Sequence, residues 1–126
     1  YLWSSPQVHI RDFFALPDEV FASVDAIYDR ASLVALPDDL RARYARLLGD
    51  KLKPGTRGLL LSLDYDQSQM NGPPFSVPSA TVASLLGPAF DIEMLSGSDA
   101  LDDGMRKRGL SALRETAYRL TRKGAA

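Results

Sequence analysis

Apolar and polar residues alternate along this chain in two different periods. Val8 and Ile10 flank His9 within residues 7–11, which predicts a short strand with two apolar side chains on one face. Asp12-Phe13-Phe14 follows, and the turn signal Leu16-Pro17-Asp18 leads into a short helical segment ending near Phe21. Residues 24–30, Val-Asp-Ala-Ile-Tyr-Asp-Arg, read as a second strand, mostly apolar until it closes in charge. Over 38–53 the period changes to that of a helix, with Leu40, Tyr44, Leu47 and Leu48 on one stripe and Arg41, Arg43 and Arg46 between them. Pro37 and two aspartates open that helix, and Lys51, Lys53, Pro54 and Gly55 close it.

Residues 58–63, Gly-Leu-Leu-Leu-Ser-Leu, are apolar enough for a central strand, which ends in Asp64-Tyr65-Asp66. A loop over 67–78 contains Gly72-Pro73-Pro74-Phe75 and Val77-Pro78. Ser79 is the expected N-cap of a second helix running through Val82, Leu85 and Leu86 to Gly87-Pro88. Alternation returns at 90–95, gives way to a Gly/Ser/Asp-rich excursion, and resumes at 114–122 with Thr116, Tyr118 and Leu120 on one face. Strands separated by helices imply right-handed crossovers and a mostly parallel α/β sheet. The last two strands lack an apolar crossover segment between them, so the sheet is expected to finish antiparallel.

Composition narrows the chemistry. The 126 residues include no cysteine and one histidine, which excludes a disulfide scaffold, thiolate metal sites and multi-histidine centres. A formal net charge of −1 offers no broad attraction to nucleic acid or an anionic membrane. No apolar run approaches the ~20 residues that cross a bilayer. A Ser/His/Asp triad would have to use His9, and neither a glycine-rich dinucleotide loop nor a P-loop is present.

Three groups remain as candidates. Asp12 and Phe13 follow the first strand, where a carboxylate, a backbone N–H and an aromatic ring together suit an adenine. A helix N-cap followed by a core phenylalanine is the alternative. Arg30, at the end of the second strand, could project a permanent cation into a ligand crevice, or form a surface pair with Asp29. The run Ala31-Ser32-Leu33-Val34-Ala35-Leu36 after it mixes small and apolar residues suited to close packing. Asp64-Tyr65-Asp66 adjoins the loop holding Pro73, Pro74, Phe75 and Pro78; its prolines fix φ and stiffen what could wall an apolar substrate or merely feed the next helix.

The segment 24–36 resembles the fourth strand of thiopurine S-methyltransferases, and Leu63-Asp64-Tyr65-Asp66-Gln67 with Gly72-Pro73-Pro74-Phe75-Ser76-Val77-Pro78 resembles their fifth strand and substrate loop. Asp12-Phe13-Phe14 is similar to the end of their third strand, and the bacterial members are nearest. The resemblance implies a Rossmann-like class I methyltransferase sheet of order 3-2-1-4-5-7-6. This chain would be the C-terminal part of one such domain, lacking strands 1 and 2 and the donor-binding half. Strand 4 would then be an exposed apolar edge.

The implied activity is methyl transfer from S-adenosyl-L-methionine to a thiol sulfur, in the cytoplasm, with neither nucleic acid nor membrane as partner. Related members act on selenium, tellurium or halide acceptors, and a non-catalytic α/β remnant that self-associates through its sheet edge is a further reading. Carried over by position, Asp12 and Phe13 hold the adenine, Arg30 is the catalytic cation at the acceptor, and Pro73, Pro74 and Phe75 line the acceptor site. The family often places a second acceptor-site arginine where Gly104 stands here, with Arg106 and Arg108 close by in sequence.

Overall fold

A computed structural model of the chain describes residues 13–30 and 32–124. The expected strand at 7–11 and Asp12 lie outside them. The described elements are α1 (Asp18–Ala22), β1 (Ala26–Asp29), α2 (Asp38–Lys51), β2 (Arg57–Asp64), α3 (Ser79–Leu86), β3 (Phe90–Asp99), α4 (Asp103–Lys107) and β4 (Arg114–Arg122). The sheet order is β1-β2-β4-β3, with β1 parallel to β2 and β4 antiparallel to both of its neighbours. That is the order expected of strands 4, 5, 7 and 6, including the antiparallel finish.

The helix period has a direct physical result. Arg41, Tyr44, Ala45, Leu48 and Gly49 form the buried stripe of α2, which packs with α3 on one face of the sheet. Gly58, Leu60 and Ser62 of β2 face that layer, as do Tyr118 and Leu120 of β4. With Leu33, Val82, Leu86 and Phe90 they make the main core. A smaller cluster of Tyr65, Met70, Leu110 and Leu113 closes the far end of the sheet. The opposite face is more open, and Leu59 keeps 37% of its surface exposed.

Several boundaries differ from the sequence reading. β1 starts at Ala26 rather than Val24, α2 ends at Lys51 rather than Lys53, and β2 runs one residue further at each end. Ser79 is the first residue of α3, and Pro78 occupies the N-cap with no side-chain hydrogen bond. Proline supplies the extended entry (φ −68°, ψ 169°) through its ring, so a hydroxyl cap is not needed to direct the chain. β3 continues to Asp99 through Ser96-Gly97-Ser98, because β4 pairs with that stretch beyond a register shift between Met94 and Ser96. Partner hydrogen bonds there override the low strand propensity of glycine and serine. β1 ends at Asp29, leaving Arg30 beyond the strand.

Candidate functional site

Parallel pairing of β1 with β2 sends both carboxyl ends to the same side of the sheet, and the register Asp64↔Arg114↔Asp99 brings the α4 segment there too. Arg30 emerges here. Its side chain is exposed and has no hydrogen bond or ion pair among the described residues. The alternative Asp29–Arg30 pair is absent, because Asp29 turns inward and is 5% exposed. One Asp29 oxygen accepts from the Ser32 and Leu33 amides at 2.9 and 3.3 Å, and the other accepts from the Tyr44 hydroxyl at 2.7 Å. Burial, then the Asp29 charge, pushes the Tyr44 hydroxyl well above the ordinary tyrosine range.

Asp29 thus shapes the turn after β1, and that turn carries the loop. Leu33–Ala35 form a short 3-10 turn with Leu33 and Val34 buried, matching the close packing read from their composition. The Val34 carbonyl accepts the Phe75 amide at 2.6 Å. The segment behind Arg30 therefore holds the loop of Pro73, Pro74 and Phe75 directly.

The same loop is fixed to β2 from several directions. The Val77 amide donates to the Leu63 carbonyl at 2.7 Å, and the Ser62 hydroxyl donates to the Val77 carbonyl at 2.7 Å. The Tyr65 hydroxyl donates to the Pro74 carbonyl at 2.6 Å and accepts from the Gln67 amide nitrogen at 2.9 Å. The Gln67 side-chain oxygen in turn accepts the Ser76 amide at 2.9 Å. Arg41, 7% exposed, donates to the Ser76 carbonyl at 3.4 Å, pairs with Asp38, and lies 5.9 Å from the centre of the Phe75 ring. The Gly72-Pro73 and Pro73-Pro74 peptides are both cis. Pro74 and Phe75 are half-buried and Pro73 is exposed, so the loop presents a firm, partly apolar surface.

Phe13 has two surroundings at once. Its ring meets Phe14, Phe21 and Tyr44 at centroid distances of 5.9, 5.6 and 5.3 Å, and yet 37% of it stays exposed. It lines a hollow of about 270 Å³ running along the free side of β1, with Val24, Ile27, Tyr28 and Tyr44 among its walls. An aromatic, apolar wall of this kind suits the flat face of a purine. Its proposed polar partner, Asp12, is outside the described residues.

Sequence reasoning named Tyr65 in a candidate group and Gln67 in the motif beside it, but gave neither these two nor Arg41 and Tyr44 the bracing role that their hydrogen bonds show. Arg41 carried a readable signal: 41, 44, 45 and 48 follow the i, i+3, i+4, i+7 spacing of a buried stripe. Asp64 and Asp66 are both exposed, and Asp66 accepts from the Ser68 amide and hydroxyl at 3.0 and 2.7 Å. Those bonds hold the Asp66 carboxyl below the usual carboxylate range. Among the described residues no helix is long and apolar enough to cross a membrane.

Comparison with known proteins bears on this arrangement. The family model described as thiopurine S-methyltransferase (TPMT) matches residues 3–123. The thiopurine S-methyltransferase of Pseudomonas entomophila is 46% identical over 124 residues, covering 95% of this chain and 57% of that protein. The chain thus spans little more than half the length of such relatives. Two solved structures share the fold at low identity. The structure described as "Conversion of a Disulfide Bond into a Thioacetal Group during Echinomycin Biosynthesis" aligns at TM-score 0.60 and 16% identity, covering 94% of this chain and 56% of that one. The N-methyltransferase NodS of Bradyrhizobium japonicum, in complex with S-adenosyl-l-homocysteine, aligns at 0.57 and 15%, covering 93% and 55%.

Proposed function

The chain belongs to the thiopurine S-methyltransferase family, and from that membership we propose that it is the acceptor-side part of a single methyltransferase domain acting on a thiol sulfur. The observation that carries this reading is Arg30: a cation without a partner among the described residues, at the carboxyl end of β1, joined through the Asp29 turn to a rigid loop. S-adenosyl-L-methionine, when bound, supplies a methyl carbon on a cationic sulfonium, and its transfer to a thiolate leaves a neutral thioether and a neutral sulfide.

The chain's own residues then have separable tasks. Arg30 stabilises the acceptor sulfur as a thiolate and does not titrate while doing so. Pro73, Pro74 and Phe75 form the wall against which an aromatic thiol lies, and their fixed geometry reduces the entropy lost on alignment. Phe13 offers its exposed ring face to the adenine of the donor, with Asp12 as the acceptor for the adenine amine. NodS, whose complex holds the demethylated donor product, shares the fold and supports this choice of donor.

The test is Arg30→Ala in the complete protein. Turnover of acidic aromatic thiols falls about a hundredfold, the scale of losing one stabilising group opposite a reacting anion, while donor affinity stays within about twofold. An equal loss of donor affinity would move Arg30 out of the acceptor site.

A further inference from the structure

Arg41 and Tyr44 stand three residues apart on the buried stripe of α2, and each reaches a different part of the site. Arg41 holds the loop through the Ser76 carbonyl. Tyr44, 7% exposed, reaches the turn after β1, where its hydroxyl donates to Asp29 at 2.7 Å.

That turn carries Arg30. Asp29 ends β1, and its other oxygen accepts from the Ser32 and Leu33 amides, so the chain closes on itself with Arg30 between the bonded ends. No cation pairs with the buried Asp29 among the described residues. A buried carboxylate without a counter-ion depends on each donor it has. Among the described residues, Tyr44 is the one donor to it that comes from another element. From the turn the constraint runs on to the loop, through the Phe75 amide and the Val34 carbonyl. The Tyr44 ring meanwhile lies 5.3 Å from that of Phe13, in the wall of the hollow, so ring and hydroxyl serve different neighbours.

We infer that Tyr44 is a positioning residue for Arg30: its hydroxyl fixes the Asp29 carboxylate, and with it the turn that aims the Arg30 cation at the acceptor sulfur. The inference rests on the thiol-transfer reading above. Arg30 has no bond of its own among the described residues, so its reach is set by where its backbone stands. A misplacement of about 1 Å costs up to about a hundredfold in rate, and small freedom in the turn therefore registers in turnover. Tyr44→Phe keeps the ring against Phe13 and removes only the bond to Asp29.

The experiment is a double-mutant cycle in the complete protein. Tyr44→Phe lowers kcat/KM for thiophenol about tenfold, while calorimetric affinity for S-adenosyl-L-homocysteine stays within about twofold. Added to Arg30→Ala, it lowers kcat/KM by less than about a further twofold, because no cation is left to aim. Asp29→Asn, which weakens the same bond from its other end, gives the same pattern. Leu86→Val loosens the core from α3 with the Asp29 bonds in place, and leaves turnover unchanged. A tenfold further loss in the Arg30→Ala background, or wild-type turnover in Tyr44→Phe, overturns the inference. Amide hydrogen exchange separates this from failure of the function. In Tyr44→Phe the Ser32 and Leu33 amides exchange about tenfold faster, relative to those of β2, than in the wild type. An unchanged ratio removes Tyr44 from its role. A raised ratio beside full thiol turnover in Arg30→Ala keeps Tyr44 as the residue that places Arg30, and takes the acceptor role from Arg30 alone.

Discussion

The loop after β2 and the free side of β1 sit at neighbouring places on one sheet and are built in opposite ways. The loop is held by its own chain. Tyr65, Gln67 and Ser76 bind one another's backbone and side-chain groups, Val77 bonds Leu63 and Ser62 of β2, and Arg41 and Val34 reach the loop from two further segments. β1 has one neighbour, β2, among the described residues; Tyr28 is 63% exposed, and an apolar hollow runs alongside. The difference separates two kinds of order. A loop whose polar groups are mutually satisfied keeps its shape without a ligand, whereas a strand with an unpaired side and exposed aromatic surface is stable only through what lies behind it.

The comparison breaks first at Gly72. Its φ is +74°, and an added Cβ would lie 2.7 Å from Cδ1 of Phe75. Gly72→Ala therefore combines backbone strain with a collision inside the loop, and costs about 3 kcal/mol by denaturant unfolding. Arg41→Ala removes the bond to the Ser76 carbonyl and the cation over Phe75, for about 2 kcal/mol. Asp38 is exposed and is not left as a buried charge, which keeps the figure below that of a fully buried pair. Tyr65→Phe strands the Pro74 carbonyl and one Gln67 donor, at about 1.5 kcal/mol. If these three variants unfold at the wild-type midpoint, the loop is not self-supporting.

How much of this was visible in the sequence depends on what each element needed. The apolar run of β2 and the alternation of β4 state their own burial, and the structure follows them. In α2 Tyr44 and Leu48 are buried as expected, but Leu40 and Leu47 are only half-buried, and Arg41, read as lying between the apolar positions, is buried. β3 shows the opposite case: Ser96-Gly97-Ser98 reads as a loop, and becomes strand because β4 supplies the missing hydrogen bonds. The exposed place of Arg30 and the stiffness of the proline loop were legible because charge at a strand end and three prolines in six residues are local signals. The network holding them was not. Tyr65 reaches Pro74 across nine residues and Arg41 reaches Ser76 across 35, contacts that no periodicity encodes.

Tyr44 lies between the two regions, in the wall of the hollow and bonded to the Asp29 that shapes the turn toward the loop. Its hydroxyl is raised above the ordinary value of 10.0 by burial and by the Asp29 charge. The contribution of the protonated phenol is complete below that ordinary value. Above it the unfolded chain ionises while the native hydroxyl does not, so stability falls with a slope approaching about 1.4 kcal/mol per pH unit. Tyr44→Phe is less stable at neutral pH and loses this part of the alkaline slope, which unfolding curves between pH 9 and 11, at roughly half-unit steps around the phenol range, can resolve. A slope unchanged by the substitution would mean that Tyr44 is not held protonated in the native state.

The smallest expected effect is on the free side of β1. Tyr28 points away from the α2 layer and buries little, so Tyr28→Thr in the 126-residue chain removes exposed surface and keeps a β-branched residue in the strand. Its unfolding free energy should change by less than about 0.5 kcal/mol, as for a surface site without a special contact. The same substitution in the complete protein is the sharper half of the pair. If another segment of that protein covers the β1 edge, Tyr28 is buried there and the cost rises to about 1–2 kcal/mol. A large cost in the short chain would show instead that the edge is already covered, by a second copy, and unfolding would then depend on protein concentration. Equal, negligible costs in both would leave β1 as a true outer edge, and the order expected from the resemblance, with further strands beyond it, would be wrong at that point.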